Sequence, residues 1–207
     1  MIFCLSPAYA HKLISHDGSH IEKELALEIP DHKISWAIYD NLGVNEAKYY
    51  TFEAKKGDSF YASIVVPKII GLEEYSPTMI VTNEKMTFTE KILYEGNFPS
   101  KEFYEPFGQV TYWERQEVNF ELPNDGKYFI IVIDEKNQNG KYSLAVGTIE
   151  DFSALDFVTV LPTAWLQTKL FVNDFNAVII FFSVCSSIIL IPIIIYKIKK
   201  QKLVQTN

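Results

Sequence analysis

The run "AVIIFFSVCSSIILIPIIIY", Ala177 to Tyr196, holds 20 residues without a charge, and it constrains the chain more than any other feature. As a helix rising 1.5 Å per residue it spans about 30 Å, the thickness of a bilayer core. Helices in soluble cores seldom stay free of charge for so long. Pro192 lies near the end of the run, where a helix tolerates it, and Ser183, Ser186 and Ser187 can return their hydroxyls to backbone carbonyls. Lys197, Lys199, Lys200 and Lys202 follow directly, with no acid up to Asn207. The chain ahead of them carries 15 Lys and Arg against 26 Asp and Glu, a net charge of −11. Positive flanks stay in the cytoplasm, so the expected topology is a large domain outside the cell, one C-terminal transmembrane helix and a basic cytoplasmic tail.

Export accounts for the other end. Pro7-Ala8-Tyr9-Ala10 has the small-x-small form of a signal-peptidase site. Residues 1–10 read as the remnant of a signal peptide, truncated because no basic residue precedes the apolar stretch. Cleavage there makes His11 the mature N-terminus. Cys4 falls in that segment and Cys185 in the membrane run, which leaves the outer part without a disulfide framework or a cysteine zinc site.

Between the ends the apolar period is that of strands. In "YYTFEAKKGDSFYASIVVP", Tyr50, Phe52 and Ala54 share one face, Gly57-Asp58 turns, and Phe60, Ala62, Ile64 and Val66 share a face of the return strand, as in a hairpin. Val118, Phe120 and Leu122 alternate with Glu117, Asn119 and Glu121. After a turn at Pro123 to Gly126, "KYFIIVID" is apolar on both sides, as a central strand is, and Asn137 to Gly140 turns into Tyr142, Leu144 and Val146. The fold class is mainly β, a β-sandwich or jelly roll.

Residues 83–113 lack a clear period but carry Tyr94, Phe103, Tyr104, Tyr112 and Trp113 among several acids. So long a connection is functional or contains strands of its own. Its aromatics either form a binding surface for a sugar or peptide or pack the loop onto the sandwich. Farther on, Phe152, Leu155, Val158 and Leu161, a break at Pro162, then Trp165, Leu166, Leu170 and Phe171 suggest one or two short juxtamembrane helices. The resulting layout is a signal remnant at 1–10, a histidine-bearing arm at 11–32 and a sandwich at 33–150. A helical juxtamembrane segment at 151–175, a transmembrane helix at 176–196 and a basic tail at 197–207 complete it.

The strand motifs carry a family resemblance. "YYTFEAKKGDSFYASIVV", followed at a distance by Gly126-Lys127-Tyr128 and Gly140-Lys141-Tyr142, resembles the pre-peptidase C-terminal domain over roughly half the chain, and "EIPDHKISWAIYDNL" resembles its entry strand. The resemblance implies a small extracytoplasmic sandwich in a cell-surface protein, with binding rather than catalysis. Some relatives of that kind bind collagen or polysaccharide, and some take calcium through an N-terminal linker. This chain departs from them in lacking a peptidase domain and in carrying its own membrane helix.

The chain has no G-x-S-x-G, H-E-x-x-H, C-x-x-C or phosphate-cradling glycine loop, so no enzymatic activity is expected. An outer charge of −11 also repels nucleic acid. The expected partners are the membrane and a surface protein or polysaccharide. Acids at Glu22, Glu24, Glu28 and Asp31, at Glu73 and Glu74, and at Asp134 and Glu135 are suitable calcium ligands by type, but none has a calcium-loop spacing. The four histidines, His11, His16, His20 and His32, leave two readings open. One is a polar exported arm. The other is a copper(II) site in which the His11 α-amine and ring chelate the ion and other histidines complete the set. Asp17-Gly18-Ser19 argues against a helix there, so His16 and His20 are not expected to share a helical face.

Overall fold

Alternation gives each strand one apolar face, and two sheets closed face to face bury those faces in one core. The computed structural model describes residues 11–153 and 156–205; the expected signal remnant at 1–10, and Leu155, lie outside them. One sheet has the order β1 (Lys12–Leu13), β3 (Trp36–Leu42), β11 (Gly140–Val146), β5 (Ser59–Pro67), β9 (Val110–Glu121) and β8 (Glu102–Glu105). The other has the order β2 (Leu27–Glu28), β4 (Ala47–Ala54), β10 (Gly126–Ile133), β6 (Thr78–Asn83) and β7 (Thr89–Ile92). The sandwich is the mainly β architecture that the alternation predicts. Tyr50, Phe52 and Ala54 meet Phe60, Ala62, Ile64 and Val66 in the core, with the Phe52 ring stacked 5.1 Å from Phe60 and 5.6 Å from Tyr128.

The predicted hairpin pairings are corrected. β4 and β5 belong to different sheets, and so do β9 and β10, and β10 and β11. Each turn is an arch that carries the chain across the core instead of back along its neighbour. The strands paired with a chain neighbour across a short turn are β6 with β7 and β8 with β9. Both of those pairs draw on residues 83–113, the stretch without clear period. β10 is central in its sheet, as its two apolar faces require, and Lys23 Nζ lies 4.8 Å over the ring of its outward Phe129.

The segment 11–32 is part of the sandwich. β1 runs parallel to β3 and β2 parallel to β4, so the segment adds an edge strand to each sheet, with a short one-turn helix, Lys23–Leu25, between them.

α1 (Asp156–Phe171) is a single helix that continues through Pro162. In α2 (Phe175–Gln205) the carboxylate of Asp174 accepts the N–H of Ala177 at 3.1 Å and binds Lys169 Nζ at 3.0 Å, which caps the helix start. Phe175–Ile198, 24 residues, is long and apolar enough to cross a membrane. Its Ile, Leu and Phe side chains are exposed on every side, and the Ser187 hydroxyl donates to the Ser183 carbonyl at 2.8 Å.

Candidate binding site

The outward face of the six-stranded sheet is hollowed where three adjacent strands carry small side chains. Ala37, Ala145 and Ser63 are register partners across β3, β11 and β5, and Ser143 lies beside Val65. Side chains this short cannot fill the space between larger neighbours. Tyr39, Tyr61, Tyr112 and Phe103 stand around them and enclose a pit of about 250 Å³. Phe103 is the register partner of Tyr112, so both project from the same face.

A β-bulge shapes one wall. Ser63 opposes Glu117 and Val65 opposes Glu114, so the single residue Ile64 faces two, Arg115 and Gln116. The bulge turns Arg115 inward. Its Nε donates to the Tyr75 carbonyl at 2.7 Å and its Nη2 to the Glu73 carbonyl at 2.9 Å, while Trp113, Tyr94 and Phe98 rings lie 5.1–5.6 Å from the guanidinium. Gln116 donates from its amide to the Pro77 carbonyl, and its Oε1 is buried without a hydrogen-bond partner. A sequence signal for the bulge exists: Trp113 and Val118 both face the core, yet an odd spacing puts them on opposite faces of an unbroken strand.

Glu105, Glu114 and Glu117 also line the pit. Glu105 accepts the N–H groups of Phe107 and Gly108 at 2.7 and 2.5 Å, and Glu114 meets Lys101 at 3.2 Å. Burial raises the Tyr61 hydroxyl above the usual tyrosine range; a hydrogen bond with Ser63 opposes this and the charges of Glu117 and Glu114 add to it. Burial likewise raises Tyr112, with Tyr39 and Glu105 contributing. His11, at the same pit, is lowered by burial against the opposing charge of Glu150, and its Nδ1 lies 2.6 Å from the Ser35 hydroxyl.

The five aromatics read from the sequence do not form one platform. Phe103 and Tyr112 line the pit, Tyr104 is exposed next to Phe103 in β8, Trp113 is buried in the core, and Tyr94 lies beside Phe98, its ring tilted, near Arg115. Tyr39 and Tyr61 join Phe103 and Tyr112 only because the strand order brings β3, β5, β9 and β8 together in that sheet.

The histidines separate into three places. His11 lies at the pit. His32 is buried on the Phe52 ring (5.0 Å) with Asp58 3.8 Å away, and burial lowers its pKa against the opposing charges of Asp58 and Asp31. His16 and His20 come together, with ring centroids 4.6 Å apart, without a helix. Gly18, at φ +81°, turns the chain, and the Ser19 N–H donates to Asp17 at 2.9 Å. The His16 Nδ1 accepts the Gly18 N–H at 3.1 Å, so its proton sits on Nε2 and is donated to the Tyr39 carbonyl at 2.9 Å. His20 Nε2 meets Asp40 Oδ2 at 2.7 Å, and the Tyr50 hydroxyl donates to that same oxygen at 2.7 Å. Since Tyr50 spends its proton there, Tyr142 donates to Tyr50, 2.6 Å away. Burial favours the neutral carboxyl of Asp40, but the hydrogen bonds from His20 and Tyr50 outweigh it and hold its pKa below the ordinary carboxylate range. Lys48, buried, donates to the Gly18 carbonyl at 2.9 Å and to Glu46 at 3.1 Å. His16, His20 and Asp40 each point one potential ligand atom into a space where all three lie within 4.8 Å.

The acid pairs have local duties. Asp134 accepts the N–H groups of Lys136 and Asn139, both at 3.0 Å, and that of Gln138, Glu135 meets Lys91 at 2.5 Å, and Glu73 accepts the Gly71 N–H at 2.8 Å.

No family model matches the chain, and no curated protein matches it. Solved structures of similar fold include the pre-peptidase C-terminal domain of collagenase from Bacillus anthracis, at 21% identity over 57% of this chain and 91% of that one, with a TM-score of 0.37. A periplasmic inhibitor of g-type lysozyme from Aeromonas hydrophila is 15% identical over 67% and 98%, with a TM-score of 0.38. A surface-associated copper-binding protein from Methylomicrobium album BG8 is 9% identical over 69% and 99%, with a TM-score of 0.31. The domain that the strand motifs resemble is among these structures.

Proposed function

We propose that this chain is a single-pass, membrane-anchored cell-surface binding module without chemistry of its own, and that the pit on its six-stranded sheet is the contact site for a surface partner. The observation that carries this reading is the pit itself: a concave, aromatic-walled depression with a few polar groups is the usual form of a binding site. Photo-crosslinkers placed at Phe103 and Tyr61 on intact cells are expected to trap a partner, while one at Lys91 on the opposite sheet is not. Equal crosslinking from all three positions, or from Lys91 alone, removes the pit from the reading.

The orientation follows from charge, with the −11 portion outside and the lysine-rich tail inside. Protease added to intact cells is expected to digest the sandwich and spare an epitope fused after Asn207. A protected sandwich with loss of the epitope reverses the topology.

A second reading, an extracytoplasmic copper protein, is favoured by the convergence of His16, His20 and Asp40. Copper must then displace the hydrogen bonds those atoms now make. In that case the full chain takes up one copper(II), and His16→Ala and His20→Ala each abolish tight binding. Retention of copper by the double variant ends this reading.

A further inference from the structure

We infer that the pit takes the guanidinium of an arginine side chain presented by a protein partner. This rests on the reading of the pit as a contact site and specifies its occupant. Size comes first. A pit of about 250 Å³ is smaller than the roughly 300–1,000 Å³ that holds a whole small-molecule ligand, and it suits one side chain. Charge comes second. Glu105, Glu114 and Glu117 line it, three carboxylates against the one guanidinium of Arg115, which is drawn to the Tyr75 and Glu73 carbonyls. The pit lies in a portion of the chain whose net charge is −11, which draws basic partners over a distance.

Hydrogen-bond capacity distinguishes arginine from other occupants. The carboxylates of Glu114 and Glu117, which line the pit, accept hydrogen bonds and donate none. A guanidinium carries five N–H donors and no acceptor, and its flat face stacks on aromatic rings such as those of Tyr61 and Phe103. Lysine offers the charge as a point without the planar fork. A sugar hydroxyl brings no charge to answer the carboxylates.

The test uses the full chain in detergent micelles with isotope-labelled tyrosine, titrated with Nα-acetyl-arginine methylamide and with the citrulline analogue, which keeps the shape and loses the charge. Arginine is expected to shift the Tyr61 and Tyr112 resonances, with citrulline at least tenfold weaker and the lysine derivative between them. Glu114→Gln together with Glu117→Gln, at positions not fully buried, is expected to weaken arginine at least fivefold while leaving the remaining spectrum unchanged. Equal response to arginine and citrulline, or shifts that map away from the pit, overturns the inference. A neutral oligosaccharide such as maltohexaose that shifts those tyrosines when arginine does not also overturns it, but leaves the pit a binding site. No response to any probe, with no crosslinking from Phe103 or Tyr61, ends both.

Discussion

Asp40→Ala is expected to destabilise the sandwich by about 3–5 kcal/mol, the range seen when one partner of a buried charged network is removed. Against a typical domain stability of about 5–15 kcal/mol, that removes much of the margin. The substitution takes the shared acceptor from His20 and from Tyr50, whose side chain is fully buried, and Tyr142 then donates to a hydroxyl that has lost its own acceptor. Lys48, 4.0 Å from the same carboxylate, keeps only Glu46 as an anionic neighbour. Thermal unfolding followed by tryptophan fluorescence measures the loss. Tyr142→Phe removes one donor and leaves the Tyr50–Asp40 bond, so about 1 kcal/mol is expected from it. Equal losses for the two variants contradict the placing of Asp40 at the centre of the network.

The same groups set the response to acid. The folded state holds Asp40 below its ordinary pKa of 3.8, so its contribution is present above that value and is lost as pH falls through the lower, folded value. His11 and His32 are lowered from 6.5 by burial, so the unfolded chain takes up their protons first and stability begins to fall as pH drops below about 6.5. Denaturation midpoints are expected to decline in two windows, and His32→Gln is expected to reduce the upper one. A midpoint independent of pH between 7 and about 5 contradicts the burial of these imidazoles.

Gly147→Ala is expected to cost at least about 3 kcal/mol, because two penalties fall on one residue. Gly147 has φ +75°, and a Cβ added there meets the carbonyl oxygens of Ile34 and His32, which are backbone atoms held by their own neighbours. Its N–H donates to the Tyr61 carbonyl at 3.0 Å, so the residue cannot move away without breaking the end of β11 from β5. Gly57 has a similar φ of +85° but nothing within 4 Å of the added Cβ. Gly57→Ala therefore carries only the conformational term, about 1–2 kcal/mol. Chemical denaturation of the two variants separates steric contact from backbone strain, and equal losses remove the contact argument.

Which residues face inward was legible from period alone. Tyr50, Phe52, Phe60, Ile64, Tyr142 and Leu144 are all in the core, because side chains two apart must share a face whatever the strand pairs with. The same fact explains why the pairing was not legible. A hairpin and an arch bury identical alternating positions, and Gly57-Asp58 turns the chain equally well in either. Whether β5 lies beside β4 or across the core from it depends on hydrogen bonds to β11 and β9, far away in sequence.

The long apolar run needed no tertiary information, since length and absence of charge are properties of the segment itself. The pit did. Ala37, Ser63, Ser143 and Ala145 carry no signal singly, and they make a depression only once β3, β11 and β5 stand side by side. His16 and His20 were visible as residues, but the turn at Gly18 and the buried Asp40 brought their rings together. Local period determines the face of a side chain, because it follows from backbone geometry over two residues. Neighbours across a sheet are decided by contacts between distant strands, which no local pattern encodes.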